Sequence, residues 1–144
     1  MCDNNHSLQE LTDNIDKLMV QLATLRQQQQ QQSDDEEEKV DTLCKSLALI
    51  YNNRGFCYYK SVEFNLAADD YTRAVELDPR LAVAYYNRGT IHYRMNNFDK
   101  AIVDLKLATD LEPQNQEFRL AYEHCCQQLA AMATNTDITD SGIS

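Results

Sequence analysis

His124-Cys125-Cys126 is the one stretch of this 144-residue chain whose residue types suggest nucleophilic or metal chemistry. A thiolate beside an imidazole can attack a carbonyl, and the same atoms can hold zinc. The spacing argues against both. Adjacent helical residues project about 100° apart, so three in a row cannot converge on one ion or form a Cys–His dyad unaided. Cys125 also lies on an apolar stripe, where a thiol is a small hydrophobe. The five cysteines (Cys2, Cys44, Cys57, Cys125, Cys126) contain no CxxC pair. His92 reads as a packed or groove-edge histidine rather than a ligand, and the carboxylates Asp69, Asp70 and Asp104 read as solvated surface. The expectation is therefore no enzyme, no cofactor and no metal.

The net charge of −10 has to be located before it is used. Between Val40 and Ala133, 12 acidic side chains face 10 basic ones, so the middle carries only −2. The rest sits in the flanks, chiefly in DDEEE at 34–38. An acidic chain with no basic patch speaks against nucleic acid and anionic membrane as partners. No apolar run approaches a membrane span, and MCDNNHS lacks the basic and apolar blocks of a signal peptide. The expected setting is the cytoplasm or the nucleus.

What positions these residues is a repeat. YNNRG at 51–55 returns as YYNRG at 85–89, and a shift of 34 aligns much else. Ala48 falls on Ala82, Tyr59 on Tyr93, Phe64 on Phe98, Ala67 on Ala101, Asp70 on Asp104, Ala74 on Ala108 and Pro79 on Pro113. This period is the signature of a helical-hairpin solenoid. Each unit reads as two helices, about 48–60 with 64–77, and about 82–94 with 98–111. Gly55 is expected to meet Ala67, and Gly89 to meet Ala101, so that the helices of a hairpin approach closely. Pro79 and Pro113 stop the second helices.

Tyr51, Gly55, Tyr58, Ala67, Tyr71, Ala74 and Pro79 stand at signature positions of the tetratricopeptide repeat. So do Tyr85, Gly89, Ala101, Leu105, Ala108 and Pro113, with His92 in place of the second tyrosine. Over residues 48–115 the chain resembles that family. The resemblance implies an all-α protein whose opening helices line a groove for a partner's peptide or helix. Carried over by position, the groove takes Leu49, Asn52, Asn53, Phe56, Tyr59 and Lys60. From the second repeat it takes Val83, Tyr86, Asn87, Thr90, Tyr93 and Arg94. Tyrosine offers contact area at low rotamer cost, and asparagine both donates and accepts. Some of these tyrosines have a plainer use, packing against the flanking helices.

Members that grip the C-terminal tails of Hsp70 and Hsp90 use a two-carboxylate clamp. Here Asn52 and Phe56 stand at its first pair, and Glu117 and Ala121 at its third. Those tails are not expected partners.

The ends complete the organisation. Phe118, Tyr122, Cys125, Leu129 and Met132 form one stripe of a capping helix, 116–133. Leu8, Leu11, Ile15, Leu18, Leu22 and Leu25 form another, after a Ser7–Glu10 capping box. The expected plan is disorder at 1–6, an amphipathic helix with a poly-Gln end at 7–32, and an acidic linker at 33–39. The repeat domain follows at 40–133, with repeats 48–81 and 82–115, and then a disordered tail at 134–144. The amphipathic helix is expected to fold back on Val40, Leu43, Leu47 and Tyr51 as a degenerate first repeat. The functional expectation is a protein-binding adaptor. The alternative is a structural subunit that self-associates through Leu8–Leu25, as a weak homodimer, with the groove filled by its own chain.

Overall fold

The computed structural model describes residues 4–28 and 33–140. Among them are six helices and no strand: α1 (Asn4–Gln28), α2 (Asp34–Lys60), α3 (Phe64–Leu77), α4 (Ala82–Arg94), α5 (Phe98–Leu111) and α6 (Gln116–Asp140). None is long and apolar enough to cross a membrane. The expected all-α helical-hairpin fold is what the chain adopts. It divides into two compact units, residues 1–84 and 85–144.

In the first unit α2 packs against both α1 and α3. Burial falls where the apolar stripes meet: Ile15 and Leu22 from α1, Leu47, Ala48 and Tyr51 from α2, Ala67, Tyr71 and Ala74 from α3. Leu8, Leu11, Leu18, Leu25, Val40 and Leu43 are half-buried around them. At 27 residues, α2 reaches back well beyond the repeat and presents its upstream half to α1. In the second unit Ala101, Leu105 and Cys125 form one core cluster, with Tyr86, Tyr93, Phe98, Ile102, Ala121 and Tyr122 packed against it.

The turns repeat as closely as the helices. α2 closes in a Schellman pattern: Glu63 N–H donates to Tyr58 O at 2.9 Å and Val62 N–H to Tyr59 O at 3.0 Å. Asn97 and Asn96 make the same two bonds to His92 O and Tyr93 O, at 2.8 and 3.1 Å. The pattern puts one residue in the left-handed region, Val62 at φ 62° and Asn96 at φ 61°. Glycine would be the usual choice there, and a β-branched residue is strained. α3 stops before Pro79 in an Asx turn, with Arg80 N–H donating to Asp78 Oδ1 at 3.1 Å. Asn115 caps α6, its side chain accepting from Phe118 N–H at 3.2 Å.

Several expectations need correction. Residues 34–39 are not a linker but the opening of α2, whose first turn holds Asp34, Asp35, Glu36 and Glu37. Acidic side chains are stabilised at a helix N-terminus, so the composition of a solvated linker is also that of a good helix start. Ser7 does not cap α1, which opens at Asn4. Asn4–His6 are therefore helical rather than disordered, and residues 1–3 lie outside the described residues. Gln27 and Gln28 end α1, while the poly-Gln residues 29–32 lie outside the described residues. α6 runs on to Asp140, carried past 133 by strong helix formers at 130–133. Residues 134–140 are thus helix, and 141–144 are not described. Met132 leaves the capping stripe and is 52% exposed.

The glycine partners also differ. A Cβ on Gly55 would lie 2.8 Å from Tyr71 Cε1, and one on Gly89 would lie 3.0 Å from Leu105 Cγ. The close approach is between a glycine and a large side chain one turn beyond the expected alanine.

Candidate interaction face and buried ion pairs

The sequence-predicted groove residues divide by unit. On α2, Leu49 (50% exposed), Asn53 and Phe56 (48% exposed) form an outward stripe, with Lys60 at its end. The spacings of four, three and four place these residues on one helix face. Lys60 Nζ sits 5.2 Å from the centroid of the Phe56 ring. Phe56 stacks on Tyr59 at 6.2 Å, and Tyr59 meets Phe64 of α3 at 5.8 Å. The aromatic row is thus anchored at its inner end and open at its outer end. Asn52 does not belong to this face. It is 8% exposed, turned into the unit by its place one residue before Asn53.

In the second unit the tyrosines have the plainer role. Tyr86 stacks on Phe118 of α6 at 4.7 Å, and its hydroxyl donates to Glu117 Oε1 at 3.0 Å. Tyr93 packs edge-on against Phe98 at 5.1 Å, and its hydroxyl lies 3.4 Å from His124 Nδ1. Thr90 spends its hydroxyl on Tyr86 O at 2.9 Å. Asn87 is half-buried, and Arg94 is exposed at the end of α4.

A different pattern was missed entirely. Asp70 (1% exposed) and Asp104 (3%) are buried, where solvated carboxylates were expected. Arg54 Nε and Nη2 donate to Asp70 Oδ2 and Oδ1 at 2.7 and 2.8 Å. Arg88 repeats the fork on Asp104, at 2.8 and 2.8 Å. Two parallel charge-assisted bonds satisfy a carboxylate that burial would otherwise penalise. The arginine of each NRG box therefore staples its own hairpin. Arg54 does more: its Nη1 reaches Thr12 Oγ1 of α1 at 3.3 Å, so one guanidinium ties α1, α2 and α3. Arg73 Nη1 adds a third donor to Asp70 at 3.2 Å. The signal was present in the sequence, as an Arg and an Asp 16 residues apart in both repeats.

His92 Nε2 lies 3.8 Å from Asp104 Oδ2, and its Nδ1 is buried without a hydrogen-bond partner among the described residues. Burial lowers its pKa, outweighing the attraction of Asp104. His124, Cys125 and Cys126 do not converge. Cys125 is fully buried, its Sγ 3.7 Å from Phe98 O, while His124 is exposed. Burial pushes the Cys125 thiol up, away from the reactive thiolate. Among the described residues no three His, Cys, Asp or Glu side chains could hold a metal ion.

The family model of the tetratricopeptide repeat matches residues 48–81 and 82–115. No curated protein matches the sequence. Among solved structures, the first repeat domain of Spaghetti (RPAP3), bound to the HSP90 peptide SRMEEVD, is similar. It shares 21% identity at a TM-score of 0.57, covering 87% of this chain and 94% of that one. The C-terminal repeat domain of an FK506-binding protein from Plasmodium falciparum gives 21% and 0.59, covering 92% and 87%. The TPR2B domain of yeast Sti1, in complex with pHsp70, gives 17% and 0.53, covering 85% and 98%. At such identities the likeness establishes the fold.

Proposed function

Because the chain carries two tetratricopeptide repeats, at 48–81 and 82–115, we infer that it is a non-enzymatic protein-binding adaptor. It holds a partner peptide or helix against the outward face of α2, the opening helix of its first repeat. The observation that carries this reading is the stripe Leu49, Asn53, Phe56 and Lys60 on α2. Two large apolar side chains stand about half exposed there. They flank an asparagine that can pair with a partner's backbone. The peptide complexes of Spaghetti and of Sti1 support a protein as the partner class. Their chaperone tails are not the proposed partners, because Asn52 is buried and Phe56, Glu117 and Ala121 hold the other clamp positions.

Burial of Ile15 and Leu22 within the chain supports this reading over self-association through α1. The remaining stripe residues, Leu8, Leu11, Leu18 and Leu25, are half-buried. Within the family, the paired YNNRG and YYNRG boxes resemble those of the small animal protein tetratricopeptide repeat protein 32, a finer placement that forms part of the proposal.

The test is affinity capture from cell extract with wild type and with Leu49→Ser/Asn53→Ala/Phe56→Ala, substitutions at exposed atoms. Circular dichroism and light scattering accompany both baits. Partners retained by wild type and lost by the folded, monomeric variant support the reading. Equal retention by both proteins, or a dimer that dissociates on substitution of Leu18 and Leu25, overturns it.

A further inference from the structure

On the opposite side of α2, about 200° round the helix from Asn53, three helices of the first unit enclose a concavity of about 290 Å³. Leu22 (2% exposed) and Tyr51 (7%) form its floor, and Met19 and Leu77 its apolar walls. Its rim is charged. The Arg73 guanidinium lies 5.8 Å from the Tyr51 ring centroid, steadied by Asp70 at 3.2 Å, and remains half exposed. Arg26 is exposed, and among the described residues its guanidinium reaches Cys44 Sγ at 3.9 Å and no carboxylate. Glu76 is the acid among the lining residues. Counted with the buried Arg54–Asp70 pair that Arg73 joins, three guanidiniums meet two carboxylates, which gives this mouth a positive bias in a chain of net charge −10.

We propose that this concavity is a second docking site, for a protein segment that sets an apolar side chain beside a carboxylate. The side chain rests on the Leu22–Tyr51 floor between Met19 and Leu77, and the carboxylate sits between Arg26 and Arg73. Arginine forks suit a carboxylate, and stacking over Tyr51 holds one of them in place before binding. The volume lies at the bottom of the range for small-molecule sites, which suits one side chain better than a cofactor or an acyl chain. The site lies apart from the Leu49–Phe56 face, so an adaptor would hold one partner on each side of α2.

The minimal probe is N-acetyl-leucine, which carries both groups, with N-acetyl-leucinamide as its uncharged control. Methyl-resolved NMR of the full chain reads Met19, Leu22 and Leu77 directly, with Leu49 as the reference on the other face. A lone side chain with one ion pair binds weakly, so titration runs to about 50 mM. The expected result is saturable shifts at Met19, Leu22 and Leu77 with the acid, several-fold weaker with the amide. R26Q weakens the acid about two- to fivefold and E76Q strengthens it by a similar factor, as exposed charge pairs do. No saturable shift, equal response to acid and amide, indifference to both variants, or shifts centred on Leu49 overturns the proposal. Failure here leaves the Leu49–Phe56 reading intact, since that face is scored separately.

Discussion

Val62 is the place where this chain departs most plainly from its own best solution. It occupies the left-handed region at φ 62°, where its repeat counterpart is Asn96 at φ 61°. The left-handed conformation costs an L-residue about 1–2 kcal/mol, and asparagine recovers much of that through its short polar side chain. The β-branch of valine puts it at the costly end. Little offsets the strain, because Val62 is 69% exposed and has little apolar burial to lose. Val62→Asn should therefore stabilise the protein by about 1 kcal/mol, and Asn96→Val should destabilise it by about the same amount. For a chain of this size that is a melting shift of about 3–5 °C in each direction. Urea denaturation with unchanged m-values, checked by thermal melts, reads both variants. A Val62→Asn protein no more stable than wild type would refute the reasoning, as would an Asn96→Val protein that melts with it.

Two further outcomes concern the buried charges. Asp70→Asn removes a carboxylate that accepts three donors and leaves Arg54 uncompensated. The expected loss is about 3–5 kcal/mol by urea denaturation, while Arg54→Met/Asp70→Leu together should cost distinctly less. A loss from Asp70→Asn no larger than that of an exposed pair would mean that the fork is not carrying the hairpin. His92 supplies the pH dependence. Its pKa is lowered by burial from 6.5, so the unfolded chain takes up a proton before the native state does. Its contribution is full above the unfolded value and is lost as the pH falls through the lowered native one. His92→Tyr, which restores the residue of the first repeat, should flatten the stability profile as the pH falls below about 7. Parallel profiles for the two proteins would reject that account.

How far the residues alone could be read depended on whether the determining contact is periodic or local. The hairpins were legible to the residue at 64–77, 82–94 and 98–111, because glycine, alanine and proline recur with the same period and each has a steric consequence. Asn53 and Phe56 came from the family resemblance rather than from the period, and both lie exposed on α2. Asp70 and Asp104 were not, because a carboxylate on a second helix looks solvated until its partner 16 residues back is brought across the hairpin. Asn52 was misplaced by carrying a whole family position over as groove, when one step along a helix turns a side chain from solvent to core. Tyr86 and Tyr93 were ambiguous until α6 supplied Phe118 and His124. The acidic run at 34–38 misled because composition alone does not separate a linker from a helix N-terminus.

The two Arg–Asp forks are identical in chemistry and spacing, and that has a consequence for threading. A chain that paired α2 with α5, within itself or by exchange with another molecule, would still satisfy Arg54 through Asp104. Charge therefore sets the register of each hairpin but not its choice of mate. That choice falls to two other features. The three-residue turns at 61–63 and 95–97 leave no slack for a distant partner. The hollow at Gly55 is shaped for the Tyr71 ring, whereas Gly89 faces the smaller Leu105. Exchanging Tyr71 and Leu105 would remove that distinction, and lengthening either turn would release the other, opening the way to domain swapping.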